Sequence, residues 1–241
     1  MIFEVREASF SYSPEKMVLE KLNFCSESNM ISILAGVNGC GKSTLLKLLA
    51  GLLVPESGDI LLDGVPLKNI PRRTFAEKVA YLPQNPIVPE AFTVAEYLEC
   101  LRNALPVSPE SIRRAAEDTG ILHLLDRQFA VLSGGEKQRV FLAFILARNA
   151  EILLLDEPFS ALDPAAFREL FQLLISLKER RKLTVIVTLH DINRALVYGE
   201  RIIGLKGKKI AFDLPPADAI SKVPELYDLP AESVVTQTFF V

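Results

Sequence analysis

The feature that most narrows the fold is a glycine-rich run at residues 36–44, which fits the pattern G-x-x-x-x-G-K-[ST]. It follows an apolar run at residues 30–35, which predicts a buried strand, and precedes an apolar helix predicted at residues 45–50. Glycines let such a loop curl so tightly that successive backbone N–H groups point at phosphate oxygens. The pattern therefore predicts a phosphate-binding loop, called the phosphate loop below. A glycine-rich turn without a ligand is the alternative.

The phosphate loop supplies backbone donors and two reactive side chains. Lys42 is expected to neutralise the terminal phosphates, and the Ser43 hydroxyl to coordinate Mg²⁺. Cys40 lies where the loop meets the helix, a position that can depress the pKa of a thiol. The residues expected to surround the phosphates are Gly36, Val37, Asn38, Gly39, Cys40, Gly41, Lys42, Ser43 and Thr44.

Strands and helices alternate along much of the chain, which predicts an α/β fold with a mainly parallel sheet. The runs at residues 30–35, 152–155 and 185–189 are mostly apolar and do not alternate, as expected of strands covered on both faces. Residues 2–24 instead predict antiparallel strands that turn at residues 13–15.

Helix signals dominate residues 85–150. Thr93 and Glu96 have the spacing of a capping box, and Ser108 precedes a proline at a predicted helix start. Gly120 is a plausible left-handed end for that helix. We therefore predict a nucleotide-binding core, with an antiparallel β subdomain, from residues 1–84 and 151–241. Residues 85–150 are predicted to form a helical subdomain.

Two acids end the strand predicted at residues 152–155. Asp156 is suited to hold Mg²⁺, and Glu157 to polarise an attacking water as a general base. The carboxyl ends of strands are where open α/β sheets bind ligands. The motif is weak alone, because many strands end in acids, but together with the phosphate loop it predicts a two-part ATPase site.

A third motif is Ser133-Gly134-Gly135-Glu136, which follows Leu132. Ser133 and Glu136 can form a capping box, and this structural role does not exclude another. Two glycines at a helix start also expose N–H groups that can bind an anion. A second anion site in a chain with one phosphate loop favours a symmetric pair in which each copy completes the other's ATP site.

Together these motifs resemble the nucleotide-binding subunits of ATP-binding cassette (ABC) transporters. The phosphate loop, Gln84, residues 132–136, the acids at 156–157, residues 160–163 and His190 occur in that family's order, and the resemblance covers residues 2–212. It implies a P-loop NTPase fold of the ABC ATPase type. It also implies ATP and Mg²⁺ as cofactors and a second copy of the chain as partner.

The resemblance implies roles for four further residues. Tyr12 matches the aromatic that stacks on adenine, although a structural tyrosine in a β-strand is the alternative. Gln84 matches the glutamine that touches Mg²⁺ and the attacking water, and His190 matches the histidine that contacts the γ-phosphate. Asp163 matches an aspartate that crosses the dimer interface, and capping of the helix after Pro164 is a competing role.

Composition limits the partners. The chain has 27 Lys and Arg against 30 Asp and Glu, a net charge of -3, so it lacks the basic surplus typical of nucleic-acid binding. Its longest apolar run, residues 140–147, is far shorter than the roughly 20 residues that cross a bilayer. The resemblance to ABC transporter subunits implies a place at the cytoplasmic face of the membrane, peripherally bound to separate permease subunits, with a substrate-binding protein in the full system.

The cargo is predicted from two stretches only. Residues 78–84 and 189–195 resemble the importers of iron chelates, haem and cobalamin. Other metal or vitamin importers are alternatives, and so is a soluble ABC-type clamp acting on DNA or ribosomes. A small-molecule phosphate-loop kinase does not explain residues 132–136.

Overall fold

The structure is a computed structural model that describes residues 2–160 and 162–230. Ala161, in the stretch 160–163 matched above, lies outside the described residues. The strands are β1 (Phe3–Ser11), β2 (Met17–Cys25), β3 (Ile31–Ala35), β4 (Ser57–Leu62), β5 (Val65–Pro66), β6 (Val79–Leu82), β7 (Ile152–Leu155), β8 (Thr184–Thr188), β9 (Arg201–Lys206) and β10 (Lys209–Leu214). The α-helices are α1 (Lys42–Leu49), α2 (Arg72–Lys78), α3 (Val94–Ala104), α4 (Pro109–Asp118), α5 (Gly134–Leu146), α6 (Pro164–Arg181), α7 (Ile192–Tyr198), α8 (Pro216–Ala219) and α9 (Val223–Leu226).

The chain divides into two compact units. The first unit combines the residues up to Pro71 with those from Thr184 onward, and the second unit is Arg72–Leu183. The subdomain boundaries predicted at 84/85 and 150/151 stay a prediction, because this division groups residues by compactness alone. Within the described ranges, no helix is long and apolar enough to cross a membrane.

The first unit contains an antiparallel sheet in the order β2-β1-β4-β5. It also contains β3, which pairs in parallel with β8 on one side and β9 on the other, while β9 and β10 form an antiparallel hairpin. Every residue of β3 and β8 is buried, as their mostly apolar, non-alternating sequences predict. The predicted antiparallel start of the chain is confirmed by β1 and β2.

The second unit pairs β6 with β7 in parallel and contains the helices α2 to α6. The capping box at Thr93 is present, and the Ser108 hydroxyl accepts from the backbone of α4. Gly120 follows that helix with a left-handed φ of 71°. The predicted helix starts are therefore confirmed. An aromatic cluster also packs α3 against α5, with ring centroids 4.4–6.0 Å apart; its members are Tyr97, Phe129, Phe141 and Phe144.

Candidate nucleotide site

The phosphate loop connects the end of β3 to the start of α1 in the first unit. The Lys42 side chain is buried and folds back over the loop, where its Nζ donates to the carbonyl oxygens of Gly36 at 2.8 Å and Val37 at 3.2 Å. A buried ammonium needs oxygen partners, and here the loop's own carbonyls provide them. The lysine is thereby held at the loop, where an incoming phosphate would meet it.

All three glycines of the loop have a positive φ, and two of them also lack the space for a Cβ. Gly36 has a φ of 146°, and a Cβ there would lie 2.4 Å from the carbonyl oxygen of Leu205. Gly41 has a φ of 111°, and a Cβ there would lie 2.6 Å from a methyl of Leu19. Val37, Asn38 and Gly39, by contrast, are exposed at the tip of the loop. The loop is thus closely packed at Gly36 and Gly41 and open to solvent at its tip, as a phosphate-binding loop requires.

Tyr12 lies beside the same loop. Its ring is 54% exposed, and its hydroxyl is hydrogen-bonded to that of Thr44 at 3.2 Å. Phe10 supports the ring edge-on, with centroids 5.0 Å apart. Tyr12 is the residue directly after the end of β1, so a structural role beside the strand stays the alternative. A flat ring anchored at its hydroxyl end and open on its surface suits stacking on a nucleotide base, a role that stays a proposal.

The expectation that the start of α1 lowers the pKa of the Cys40 thiol is wrong. Burial raises the pKa of the Cys40 thiol above its usual range, and the nearby positive charge of Lys42 only partly opposes this. The thiol faces inward, since its Sγ lies 2.9 Å from where a Cβ on Gly36 would be. Desolvation therefore outweighs the helix dipole at this position.

This correction makes a prediction about reactivity. In a chain whose only cysteine is Cys40, alkylation by iodoacetamide should be slow at neutral pH, because little thiolate is present below a raised pKa. The rate of alkylation should still increase with pH above pH ~9. The pH profile of the alkylation rate measures this directly. A rate that reaches its plateau below pH ~8 would show a depressed pKa instead.

His190 is placed by strand pairing in the first unit. Leu34 of β3 pairs with Thr188 of β8, so Gly36 and His190 each follow their paired residue by two positions. Parallel strands end at the same edge of a sheet, and the exposed His190 therefore lies at the edge from which the phosphate loop emerges. Asp191 then caps α7 by accepting from the N–H groups of Asn193 and Arg194.

The second unit brings together Gln84 and Glu157 by the same geometry. Leu82 of β6 pairs with Leu155 of β7, and each of the two polar residues follows its strand by two positions. Gln84 Nε2 donates to Glu157 Oε2 at 2.9 Å. The amide thus fixes the orientation of the carboxylate, as a general base requires.

Glu157 also has a strained backbone. Its φ is 45°, in the left-handed region that costs a non-glycine residue about 1–3 kcal/mol. The strain falls at the residue whose carboxylate Gln84 holds. Such strain persists where the surrounding structure fixes a functional conformation, so it supports a role for Glu157 in the chemistry.

Asp156, next to Glu157, is 3% exposed. Its backbone N–H donates to the carbonyl of Leu82, and its Oδ2 accepts a bond of 3.3 Å from the hydroxyl of Tyr81. This contact of Tyr81 was not predicted from the sequence, although Tyr81 lies in the strand that ends two residues before Gln84. A buried carboxylate at a strand end is a suitable ligand for a hard cation.

The run from Ser133 to Glu136 starts α5 with a complete capping box. The Ser133 hydroxyl accepts from Glu136 N at 3.3 Å, and Glu136 Oε2 accepts from Ser133 N at 2.8 Å and Ser133 Oγ at 2.7 Å. These bonds from Ser133 lower the pKa of Glu136, with smaller contributions from Arg127 and His123. The structural role left open by the sequence is therefore present.

Capping does not explain the glycine at 135. A Cβ added there would meet no heavy atom of the described residues within 4 Å, and its φ is not positive. Glycine weakens a helix relative to alanine by up to about 1 kcal/mol, so this chain alone gains nothing from it. A glycine without an internal reason fits the close approach of something outside the chain.

Asp163 caps α6, because its Oδ1 accepts from the backbone N–H groups of Ala165 at 2.9 Å and Ala166 at 3.0 Å. Helix capping, the alternative role for Asp163, is therefore present, and the residue is also exposed. Its place at a dimer interface stays a prediction. Each unit thus assembles its own part of the predicted site: the phosphate loop, Tyr12 and His190 in the first, and the acids, Gln84, Ser133 and Asp163 in the second.

Similarity to known proteins is extensive. A sequence profile described as ABC transporter matches residues 19–160. The chain is 35% identical over 227 residues to the petrobactin import ATP-binding protein FpuD of Bacillus anthracis, covering 91% of this chain and 83% of the relative. It is 36% identical to the hemin import ATP-binding protein HmuV of Nocardia farcinica, covering 91% and 78%. The structure of CbiO1 from Clostridium perfringens, part of the ABC transporter complex CbiONQ, superposes with a TM-score of 0.82 at 28% identity, covering 93% of this chain and 94% of that one.

Proposed function

Because the chain belongs to the ABC transporter family, as an ATP-binding subunit that hydrolyses ATP to drive transport, we propose that two copies close around two ATP molecules and so power import of an iron chelate or haem. The observation that carries the catalytic part is the hydrogen bond of 2.9 Å between Gln84 and Glu157 at the ends of paired parallel strands. This bond holds the Glu157 carboxylate in a fixed position and places the polar side chain of Gln84 against it.

Binding is assigned to residues of the first unit. The backbone N–H groups of the phosphate loop and the ammonium of Lys42 hold the phosphates, and the open ring of Tyr12 stacks on the base. Stacking reads no hydrogen-bond pattern, so Tyr12 sets a preference for a flat base rather than a strict choice of adenine. His190 is assigned to the terminal phosphate, on the strength of its place at the same strand edge.

The residues also fit a magnesium ion. Within residues 2–160 and 162–230 no three His, Cys, Asp or Glu side chains cluster to form a protein-only metal site. Mg²⁺ usually binds through one or two protein oxygens together with substrate phosphates, and the donors here are of that kind. We assign it to the Ser43 hydroxyl, the Asp156 carboxylate and the Gln84 amide oxygen. When bound, the ion neutralises charge on the phosphates.

The dimer is inferred from α5. Its first turn offers backbone donors and the dipole's positive end, and Gly135 leaves room for a phosphate to come close. Ser133 is hydrogen-bonded to Glu136 in this state, so it must turn its hydroxyl outward to reach a phosphate. We assign Ser133, Gly134, Gly135 and Glu136 of each copy, with Asp163, to the nucleotide of the other copy.

The site of action is the membrane. A transporter ATP-binding subunit works with permease subunits, to which this chain attaches peripherally at the cytoplasmic face. A substrate-binding protein belongs to the proposal as the extracellular partner of import. The alternative of a DNA or ribosome clamp has no positive observation in its favour.

The cargo is tested by uptake in the source cell. With the gene replaced by a Glu157→Gln version, uptake of radioactive ferric siderophore or haem should be lost. Phosphonate uptake is the matched control, because a phosphonate import protein of Ruegeria sp. is 33% identical to this chain. If phosphonate uptake is lost while iron uptake stays normal, the cargo is a phosphonate and not an iron chelate or haem. If neither uptake is lost, the chain imports neither class of compound.

Binding is tested by Lys42→Ala. Removing the buried ammonium leaves the phosphate charge uncompensated, so ATP should no longer raise the melting temperature. In the unaltered chain, ATP at about 100 times its Kd should stabilise by about 2.7 kcal/mol. Lys47→Ala, in the last turn of the same helix, is the control and should keep the shift. An equal ATP shift in both variants would contradict the role of Lys42.

A further inference from the structure

Glu136 divides its carboxylate between two partners at the start of α5. Its Oε2 accepts from the backbone N–H of Ser133 at 2.8 Å and from the Ser133 hydroxyl at 2.7 Å. Its Oε1 lies 3.7 Å from Nη1 of Arg127, with which it forms an ion pair. The capping box therefore explains one oxygen of this carboxylate, while the other oxygen faces a cation that a capping box does not need.

The backbone of Arg127 is fixed close to Glu136. Its N–H donates to the carbonyl of Leu124, and its own carbonyl accepts from the N–H of Val94, both at 2.9 Å. Val94 is the first residue of α3, so this bond satisfies one of the donors that a helix leaves unpaired at its start. The Arg127 side chain, by contrast, is 55% exposed. A shift of about 1 Å would turn its ion pair with Glu136 into a hydrogen bond.

The negative charge of Glu136 opposes the proposed dimer. Glutamine completes a capping box as well as glutamate does, whereas glutamate places a carboxylate beside the phosphate of the other copy's nucleotide. The Ser133 hydroxyl must also leave Glu136 in order to reach that phosphate. The carboxylate then loses a donor while a second anion approaches, and both changes cost free energy. A cation that donates to the carboxylate at this stage offsets both costs.

We propose that Arg127 is a positioning residue: as the dimer closes, its guanidinium moves across the gap of 3.7 Å, donates to the Glu136 carboxylate and so releases the Ser133 hydroxyl toward the nucleotide of the other copy. The inference rests on the proposed function, because it presumes that Ser133 meets a nucleotide held by a second copy. It makes closure of the dimer depend on a residue that contacts neither nucleotide.

The test is Arg127→Gln in the full-length Glu157→Gln chain, with dimer formation at saturating ATP measured by analytical ultracentrifugation over a series of chain concentrations. The concentration at which half of the chains are dimeric should rise about five- to twentyfold, because one exposed charged contact is worth up to about fivefold and each dimer contains two. The melting temperature without nucleotide should hardly change, since an exposed ion pair adds little stability. The Kd of the single chain for ATP should also stay unchanged, because the phosphate loop belongs to the first unit.

Two variants control for the charge. Arg102→Gln removes another exposed arginine of the second unit, which is paired with Glu99 at 2.9 Å, and it should leave dimer formation unaltered. Arg127→Lys keeps a cation that can donate to the carboxylate, so it should retain most of the dimer formation that Arg127→Gln loses.

Ser133→Ala provides the background that separates the exchange of partners from a general role of Arg127. Without the hydroxyl nothing has to be released, so Arg127→Gln should there change the half-dimer concentration by less than about twofold. The inference is overturned if Arg127→Gln dimerises at the original concentration. It is also overturned if its effect is equally large with Ser133→Ala, as a purely structural role predicts. If Ser133→Ala alone leaves dimer formation unchanged, the proposed function of Ser133 fails, and the inference fails with it.

Discussion

Glu157→Gln should bind ATP with nearly unchanged affinity and turn it over about 10²- to 10⁴-fold more slowly, the usual contribution of a general base. The replacement keeps the shape of the side chain and an oxygen that Gln84 can still donate to, so the local geometry is preserved. Only the ability to take a proton from water is lost. Phosphate release under saturating ATP measures the rate, and calorimetry measures the affinity.

The control is Glu151→Gln, an exposed acid just before the same strand, which should hydrolyse ATP at the original rate. Because the Glu157 variant holds ATP without splitting it, it should also accumulate as a dimer when ATP is added. Turnover by Glu157→Gln within about a factor of three of the unaltered chain would contradict its assignment as the base.

Gly135→Asp should separate folding from function. An acid in the first turn of a helix is favoured by the helix dipole by about 0.3–1 kcal/mol, so the lone chain should melt at an equal or higher temperature. The same carboxylate would face the phosphate of the other copy's nucleotide, where its charge and bulk oppose closure. Turnover should therefore fall at least about 10²-fold, as when an electrostatic contact to the reacting group is lost.

Gly135→Ala is the companion variant. Its Cβ enters space that is empty among the described residues, so the melting temperature should not fall, and turnover should drop less than with the acid. Loss of folding in the acid variant would contradict the view that position 135 is open. Unchanged turnover in it would contradict the close approach of a phosphate.

The elements that the sequence predicted best are those whose local signals agree. β7 has the predicted bounds, and β3 and β8 begin and end within one residue of the apolar runs that indicated them. Helix starts at Thr93, Ser108, Ser133 and Asp163 were predicted because capping needs only a few neighbouring residues. The phosphate loop was predicted for a similar reason, since its chemistry lies within nine consecutive positions.

Features that depend on distant contacts were not predicted. The hairpin of β9 and β10, and the strand β6, carry short apolar runs that no periodicity separates from loops or helices. The pKa of Cys40 was wrongly expected to be low, because the sequence shows its place at a helix start but not the packing that buries it.

The most direct test of the central claim, that each copy completes the other's nucleotide site, is a disulfide between two chains. One cysteine-free Glu157→Gln chain carries Asn38→Cys and the other carries Ser133→Cys, and both positions are exposed. Disulfides require Cα atoms within about 7 Å. The account predicts a mixed dimer cross-linked on mild oxidation with ATP, and little without it. An equal yield with and without ATP, or no cross-link while ATP is bound, would contradict it.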